Sequence, residues 1–68
     1  MDERIYEYWK NEIVKVLKRK KRARPLDIAR KLGVHPSTVL KWLTVLELRG
    51  VVKSEKVGRE RFVELVRE

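Results

Sequence analysis

The sequence predicts a mainly α domain that ends in a small β-hairpin, an α+β fold class. Up to Gly50 the apolar residues recur at helical spacing, whereas after it they alternate with polar residues, as in strands with one buried face. Pro25, Gly33 and Pro36 divide the helical part into three helices. The chain has 68 residues, near the lower limit at which one hydrophobic core is self-sufficient. We therefore predict a single domain over residues 1–68, with three helices and a two- or three-stranded sheet.

Helix 1 is predicted over about residues 2–22. Its start is acidic and its end is basic, which suits the helix dipole. Apolar side chains cover about half of its circumference, whereas a helix that serves one core needs a stripe of only about 100°. The surplus predicts a contact with a second copy of the chain, because aromatic side chains are frequent interface anchors. The alternative is that these side chains lie over the hairpin and complete the core of their own chain. The residues assigned to the dimer interface are Ile5, Tyr6, Tyr8, Trp9 and Ile13.

A basic run closes this helix, because every residue from Lys18 to Arg24 except Ala23 is positively charged. Three interpretations remain open: a patch that contacts phosphates, a flexible polycationic loop, or a helix end whose cations satisfy the last carbonyls. Ala23 and Arg24 are predicted to be briefly extended, since residues before a proline avoid the helical region.

A tight turn is predicted between helix 2, about residues 25–32, and helix 3, about residues 36–49. Gly33 can adopt the positive φ that a sharp helix exit usually requires. Pro36 is tolerated at the first helical position, and His35 takes the cap before it. The inner face of helix 3 is apolar, with Val39, Leu43 and Leu46 on one side and Trp42 at its edge. The outer face suits either a major groove or plain solvent, and it carries Ser37, Lys41, Thr44 and Leu48.

A hairpin is predicted over about residues 51–66. Two strands, residues 51–56 and 61–66, pair around a turn over residues 57–60, where Gly58 supplies the tight bend. One face of this hairpin carries Val52, Val63 and Leu65 toward the helices.

The order of these elements, together with particular residues, resembles a known family. The residues that carry the resemblance are Ile28-Ala29-x-x-Leu32-Gly33-Val34, Pro36-Ser37-Thr38-Val39 and Leu43-x-x-Leu46-x-x-x-Gly50-Val51-Val52, followed by the hairpin. The segment from roughly Arg24 to Leu65 resembles the winged helix-turn-helix domain of small prokaryotic, archaeal or viral transcription regulators of the arsenic-sensing (ArsR) and multiple-antibiotic-resistance (MarR) types.

The resemblance implies binding to double-stranded DNA, with helix 3 as the recognition helix in the major groove and the hairpin as a wing at the adjacent minor groove or backbone. The recognition-helix residues that it implies are Ser37, Thr38, Leu40, Lys41 and Thr44. The wing and backbone residues that it implies are Lys56, Arg59, Arg61, Arg30, Lys31 and His35. Leu40 either touches a thymine methyl or packs under the wing, while Val45 and Leu48 are candidates for a protein interface.

Composition supports a polyanionic partner and excludes several classes of site. The formal net charge is +8, and 41% of the residues are charged, which favours DNA, RNA or an acidic membrane surface. There is no cysteine and only one histidine, so we expect no disulfide, no metal site, no cofactor and no catalytic constellation. The metal-sensing relatives use Cys or His clusters that this chain lacks, and no effector domain is evident. No apolar run is long enough to span a membrane, so we expect a cytoplasmic protein, nucleoid-associated or in the host cytoplasm if viral.

The sequence therefore predicts a non-enzymatic transcription regulator that binds double-stranded DNA as a homodimer, without a small-molecule effector and without a membrane. The absence of glutamine and the abundance of Lys, Arg and Glu are typical of proteins from hot environments. Two alternatives are an architectural protein that binds DNA without sequence preference, and a winged-helix docking module of a larger nucleoprotein complex.

Overall fold

Between residues 2 and 67 the fold has three helices and a three-stranded antiparallel sheet, which confirms the predicted α+β class and is consistent with a winged-helix-like arrangement. The computed structural model describes residues 2–67. The elements in chain order are α1 (Glu3–Lys20), β1 (Arg22–Ala23), α2 (Pro25–Leu32), α3 (Pro36–Leu48), β2 (Val52–Val57) and β3 (Glu60–Leu65).

Helix α1 is two residues shorter at its end than predicted. The carboxylate of Asp2 caps its start by accepting a hydrogen bond from the Arg4 backbone N–H at 2.9 Å. Lys21, at a φ of +65°, ends the helix and donates its N–H to the carbonyl of Leu17 at 2.8 Å. The chain then enters the sheet, where Arg22 and Ala23 form β1. The basic run is therefore the last turn of a helix followed by a strand, and not a polycationic loop.

The turn between α2 and α3 has the predicted geometry. Gly33 has a φ of +70°, and its N–H points back to the carbonyls of Ala29 and Arg30. The Val34 N–H also donates to the Ala29 carbonyl, at 3.0 Å. Ala29 itself is buried, and its small side chain lets α2 and α3 pack closely. Helix α3 ends at Leu48, one residue earlier than predicted.

The hairpin turn is tighter than predicted. Strands β2 and β3 pair from Val52 opposite Leu65 to Val57 opposite Glu60, so only Gly58 and Arg59 form the turn. Gly58 has a φ of +64°, which a two-residue hairpin loop requires at its first position. Strand β1 joins the other edge of β3, giving the order β1-β3-β2.

One core joins all three helices to the inner face of the sheet. Trp9 and Trp42 stack at the edge of this core, with ring centroids 6.1 Å apart and planes inclined by 14°. Tyr6 and Ile13 are only 4% and 0% exposed, so their assignment to a dimer interface is wrong. The buried residues are Tyr6, Ile13, Val14, Val16, Leu17, Ala23, Ile28, Ala29, Val39, Trp42, Leu43, Leu46, Val51, Val52 and Val63.

Candidate nucleic-acid interface

Helix α3 divides cleanly into a buried face and an exposed face. Its four apolar inner residues lie in the core as predicted: Val39, Trp42, Leu43 and Leu46. We call the exposed side the outer face, which comprises Ser37, Leu40, Lys41 and Thr44. Thr38 is half-buried at its border, and Val45 packs partly against the core instead of being free for a protein interface. Leu40 is 44% exposed, so it does not pack under the wing.

His35 caps the start of α3, as predicted. The imidazole Nδ1 accepts a hydrogen bond from the Ser37 backbone N–H at 3.1 Å. The Ser37 hydroxyl lies 2.8 Å from the same nitrogen. The cap therefore holds the His35 ring and the Ser37 side chain together at the start of the helix.

The second hydroxyl of the outer face is also engaged within the chain. The Thr44 Oγ1 donates to the carbonyl of Leu40 at 3.0 Å, so its proton is not directed outward. The Lys41 ammonium lies 5.8 Å from the centre of the Trp42 ring, within the range of a cation–π contact. The outer face thus presents aliphatic groups and one ammonium, and the Thr44 hydroxyl proton is donated inside the protein.

The wing carries the basic residues that were predicted for it, but one of them has another role. Lys56 and Arg59 are exposed at and beside the turn. The Arg61 guanidinium donates to the Ser54 hydroxyl at 3.2 Å and lies 3.6 Å from the carboxylate of Glu47 in α3. Ser54 donates in turn to Glu47 at 3.3 Å. Arg61 therefore links the wing to α3, and its assignment as a contact to the DNA backbone stays a prediction.

A second ionic cluster joins the start of α2 to the wing. The Arg24 guanidinium makes two hydrogen bonds to Asp27, at 2.9 and 3.1 Å, and a longer one to Glu60 at 3.4 Å. The hydrogen bond from Arg24 is the main reason why the pKa of Asp27 lies below its ordinary value. The same partners raise the pKa of Arg24. Two anchors, through Arg24 and through Arg61, therefore fix the wing relative to the two helices of the turn.

The two cations predicted on α2 do not share one surface. Arg30 and Lys31 are both exposed. Lys31 lines a groove of about 350 Å³ between α1 and α2, away from the outer face of α3. The other cations of that groove are Lys15, Arg19 and Lys20. Arg30, one residue earlier and about 100° around the helix, does not line that groove and stays a candidate for a contact with DNA.

The sequence did not reveal the ionic anchors of the wing. The spacing of Arg24 and Asp27 is the i,i+3 spacing of a helical ion pair, which is a usable signal. Nothing local pairs Arg24 with Glu60, or Glu47 with Arg61, because these partners lie on different elements.

Two of the residues assigned to the dimer interface are exposed on α1. Ile5 is 50% exposed and Tyr8 is 58% exposed.

No helix between residues 2 and 67 has the length and apolar character that crossing a bilayer demands. Comparison with known proteins finds no match for the chain among protein families, curated proteins or solved structures.

Proposed function

We propose that the chain binds double-stranded DNA and regulates transcription, with α3 in the major groove and the wing at the adjacent minor groove or its phosphates. The observation that carries the proposal is the division of α3 into a buried inner face and an exposed outer face. The exposed side chains are short apart from Leu40 and Lys41, and a helix of this kind fits a groove about 12 Å wide. Such a function would place the protein in the cytoplasm.

The distribution of charge supports a polyanionic partner. Several carboxylates are already paired: Glu12 with Lys15, Asp27 and Glu60 with Arg24, Glu47 with Arg61, and Glu64 with Lys53. Within residues 2–67 no ion pair involves Lys56 or Arg59. These two cations at the wing tip are therefore available for phosphates. Backbone contacts of this kind fix the register on the duplex but carry no sequence information directly.

Selection of duplexes from a random pool, followed by fluorescence-anisotropy titrations, tests the proposal. Lys41→Ala should weaken binding to the selected duplex more than binding to random DNA. Arg59→Ala should weaken both and reduce the log–log salt slope by about one, as expected for one lost phosphate contact. Arg4→Ala is the matched control, because it removes the same charge at the start of α1. Unchanged affinity of both the Lys41 and Arg59 variants would refute the assignment.

We further propose that two copies bind one site. The support is the pair of exposed apolar side chains Ile5 and Tyr8 on α1, which remain after Tyr6 and Ile13 are assigned to the core. Trp9 is half-buried and contributes its edge, since the Tyr8 ring meets it edge-on with centroids 5.3 Å apart. Light scattering after size exclusion, with and without duplex, should show a dimer. A strictly monomeric protein in both states would contradict the proposal.

A docking module of a larger complex is the second candidate. It is favoured by Leu48, which is 84% exposed at the last turn of α3, beyond the part of the helix that a groove would hold. In that case the purified chain would show no preference for duplex DNA over an acidic polymer of equal charge density.

A further inference from the structure

The outer face of α3 has few hydrogen-bond donors to offer to base edges. The hydroxyl of Thr44 donates to the Leu40 carbonyl, and that of Ser37 lies 2.8 Å from the Nδ1 of His35. For Thr44 to donate to a base, its proton would have to leave the Leu40 carbonyl. Lys41 is the one charged donor on this face.

The same face offers aliphatic groups. Leu40 is 44% exposed, although it makes up part of no core. Thr44 lies one helical turn later, and side chains four residues apart are neighbours, about 5–6 Å between Cβ atoms. With its hydroxyl turned to the backbone, Thr44 has its methyl group left to present. Leu40 and Thr44 therefore form a small aliphatic patch beside Lys41.

We propose that this aliphatic patch recognises the C5-methyl groups of thymine, so that the preferred sites are rich in A·T pairs where they face Leu40 and Thr44. Thymine is the only base whose major-groove edge ends in a methyl group; the other edges present donors and acceptors. An aliphatic side chain packed against such a polar base edge would exclude water from the edge without giving its donors and acceptors a hydrogen-bond partner. The inference rests on the proposed function and specifies the bases that it would read.

Charge favours DNA over another protein as the occupant of the patch. Lys41 adjoins the patch and the unpaired Lys56 and Arg59 lie on the neighbouring wing, while the chain as a whole carries a net charge of +8. DNA is a polyanion whose major groove carries thymine methyl groups, so it matches both the positive charge and the aliphatic patch. Glu47, the carboxylate of α3 itself, is paired with Arg61 at 3.6 Å.

Duplexes that differ only in methyl groups test the inference. Alternating poly(dA-dT) and poly(dA-dU) share their base pairing and differ in the thymine methyl, while 5-methylcytosine adds a methyl to poly(dG-dC). Anisotropy competition at one salt concentration should show weaker binding to the dU polymer. The expected loss is about fourfold for each methyl contact, the factor that corresponds to burial of one methylene. Methylation of the dG-dC polymer should shift affinity in the opposite direction.

Two variants assign the effect to the patch. Leu40→Ala should bring the ratio of the affinities for the dT and dU polymers close to one. Thr44→Ser, which removes only the methyl group and keeps the hydroxyl, should lower this ratio partly. Leu48→Ala removes the same atoms as Leu40→Ala from an exposed position two turns later and should leave the ratio unchanged. Circular dichroism confirms that each variant is folded.

The outcomes separate this inference from the function on which it rests. Equal binding of the wild type to the dT and dU polymers overturns the thymine inference and leaves DNA binding intact. If Leu40→Ala leaves the ratio of the dT and dU affinities unchanged, the thymine inference is overturned as well. Failure to bind any of the four polymers at low salt overturns the proposed function, and the inference with it.

Discussion

Two leucines in the same helix give the sharpest test of the fold on which the site depends. Leu46 is 0% exposed on the inner face of α3, whereas Leu48 is 84% exposed two residues later. Truncation of a buried leucine to alanine removes its transfer free energy and leaves a cavity, for a loss of roughly 2–5 kcal/mol. The same truncation at Leu48 removes little buried surface, because that residue is 84% exposed.

The expected loss is large relative to the stability of so short a chain. At about 0.05–0.15 kcal/mol per residue, 68 residues have a free energy of unfolding of roughly 3–10 kcal/mol. At about 4–8 °C per kcal/mol for a domain of this size, Leu46→Ala should therefore lower the melting temperature by about 8–40 °C, or leave the chain partly unfolded. Leu48→Ala should change the free energy of unfolding by no more than about 0.5 kcal/mol, the usual range for exposed positions.

Thermal and urea unfolding followed by circular dichroism at 222 nm measures both variants. Similar losses for Leu46→Ala and Leu48→Ala would show that α3 is rotated about its axis relative to the orientation described above. In that event Ser37, Lys41 and Thr44 would not lie on the exposed side, and both proposals for this helix would fail.

Three further variants test local features. Gly33→Ala should destabilise the fold by roughly 1–2 kcal/mol through its φ of +70° alone, since nothing lies within 4 Å of the added Cβ; a neutral effect in thermal melts would mean that the turn relaxes without strain. His35→Ala should remove the cap of α3 at a cost of about 1 kcal/mol, and His35→Asn should retain most of it in the same melts. Asp27→Asn tests the pair with Arg24. Because the folded pKa of Asp27 is lowered from 3.8, the stabilisation is present above that value and is lost as the pH falls through the folded pKa. The gap in stability between the wild type and Asp27→Asn should thus shrink from about pH 7 to about pH 2, and a gap that does not vary with pH in urea titrations would exclude the carboxylate as its source.

Local signals in the sequence predicted the bounds of the helices and the turn closely. Contacts between residues that are distant in the sequence could not be predicted in this way. The bounds of α2 match because a proline at the first helical position and a glycine at the exit act within a few residues. The width of the apolar stripe on α1 does not by itself separate contacts within the chain from contacts with a second copy. Helix α1 packs against α2, α3 and the sheet, so one chain accounts for most of a stripe that suggested a second copy.

The candidate site shows the same limit. Which residues of α3 are exposed follows from a helical wheel, because the angle per residue is fixed. The direction in which each exposed group points does not, since it depends on rotamers and on hydrogen bonds to neighbours. Thr44 was predicted to meet base edges as a polar group, and its hydroxyl proton is donated to the Leu40 carbonyl within the chain.

A reading surface this small has a consequence for how the protein finds a site. If α3 binds DNA as proposed, two aliphatic groups and one ammonium would contact few base pairs, and each wrong pair typically costs about 1–3 kcal/mol. A single copy would therefore discriminate weakly against the large excess of other sequences, while its net charge of +8 would hold it on any duplex. Two copies joined through Ile5 and Tyr8 would double the number of base pairs read, at half-sites about 34 Å apart or a multiple of that distance. Sequence preference should for this reason appear only at protein concentrations at which the dimer is populated, and salt-sensitive binding without preference should dominate below them.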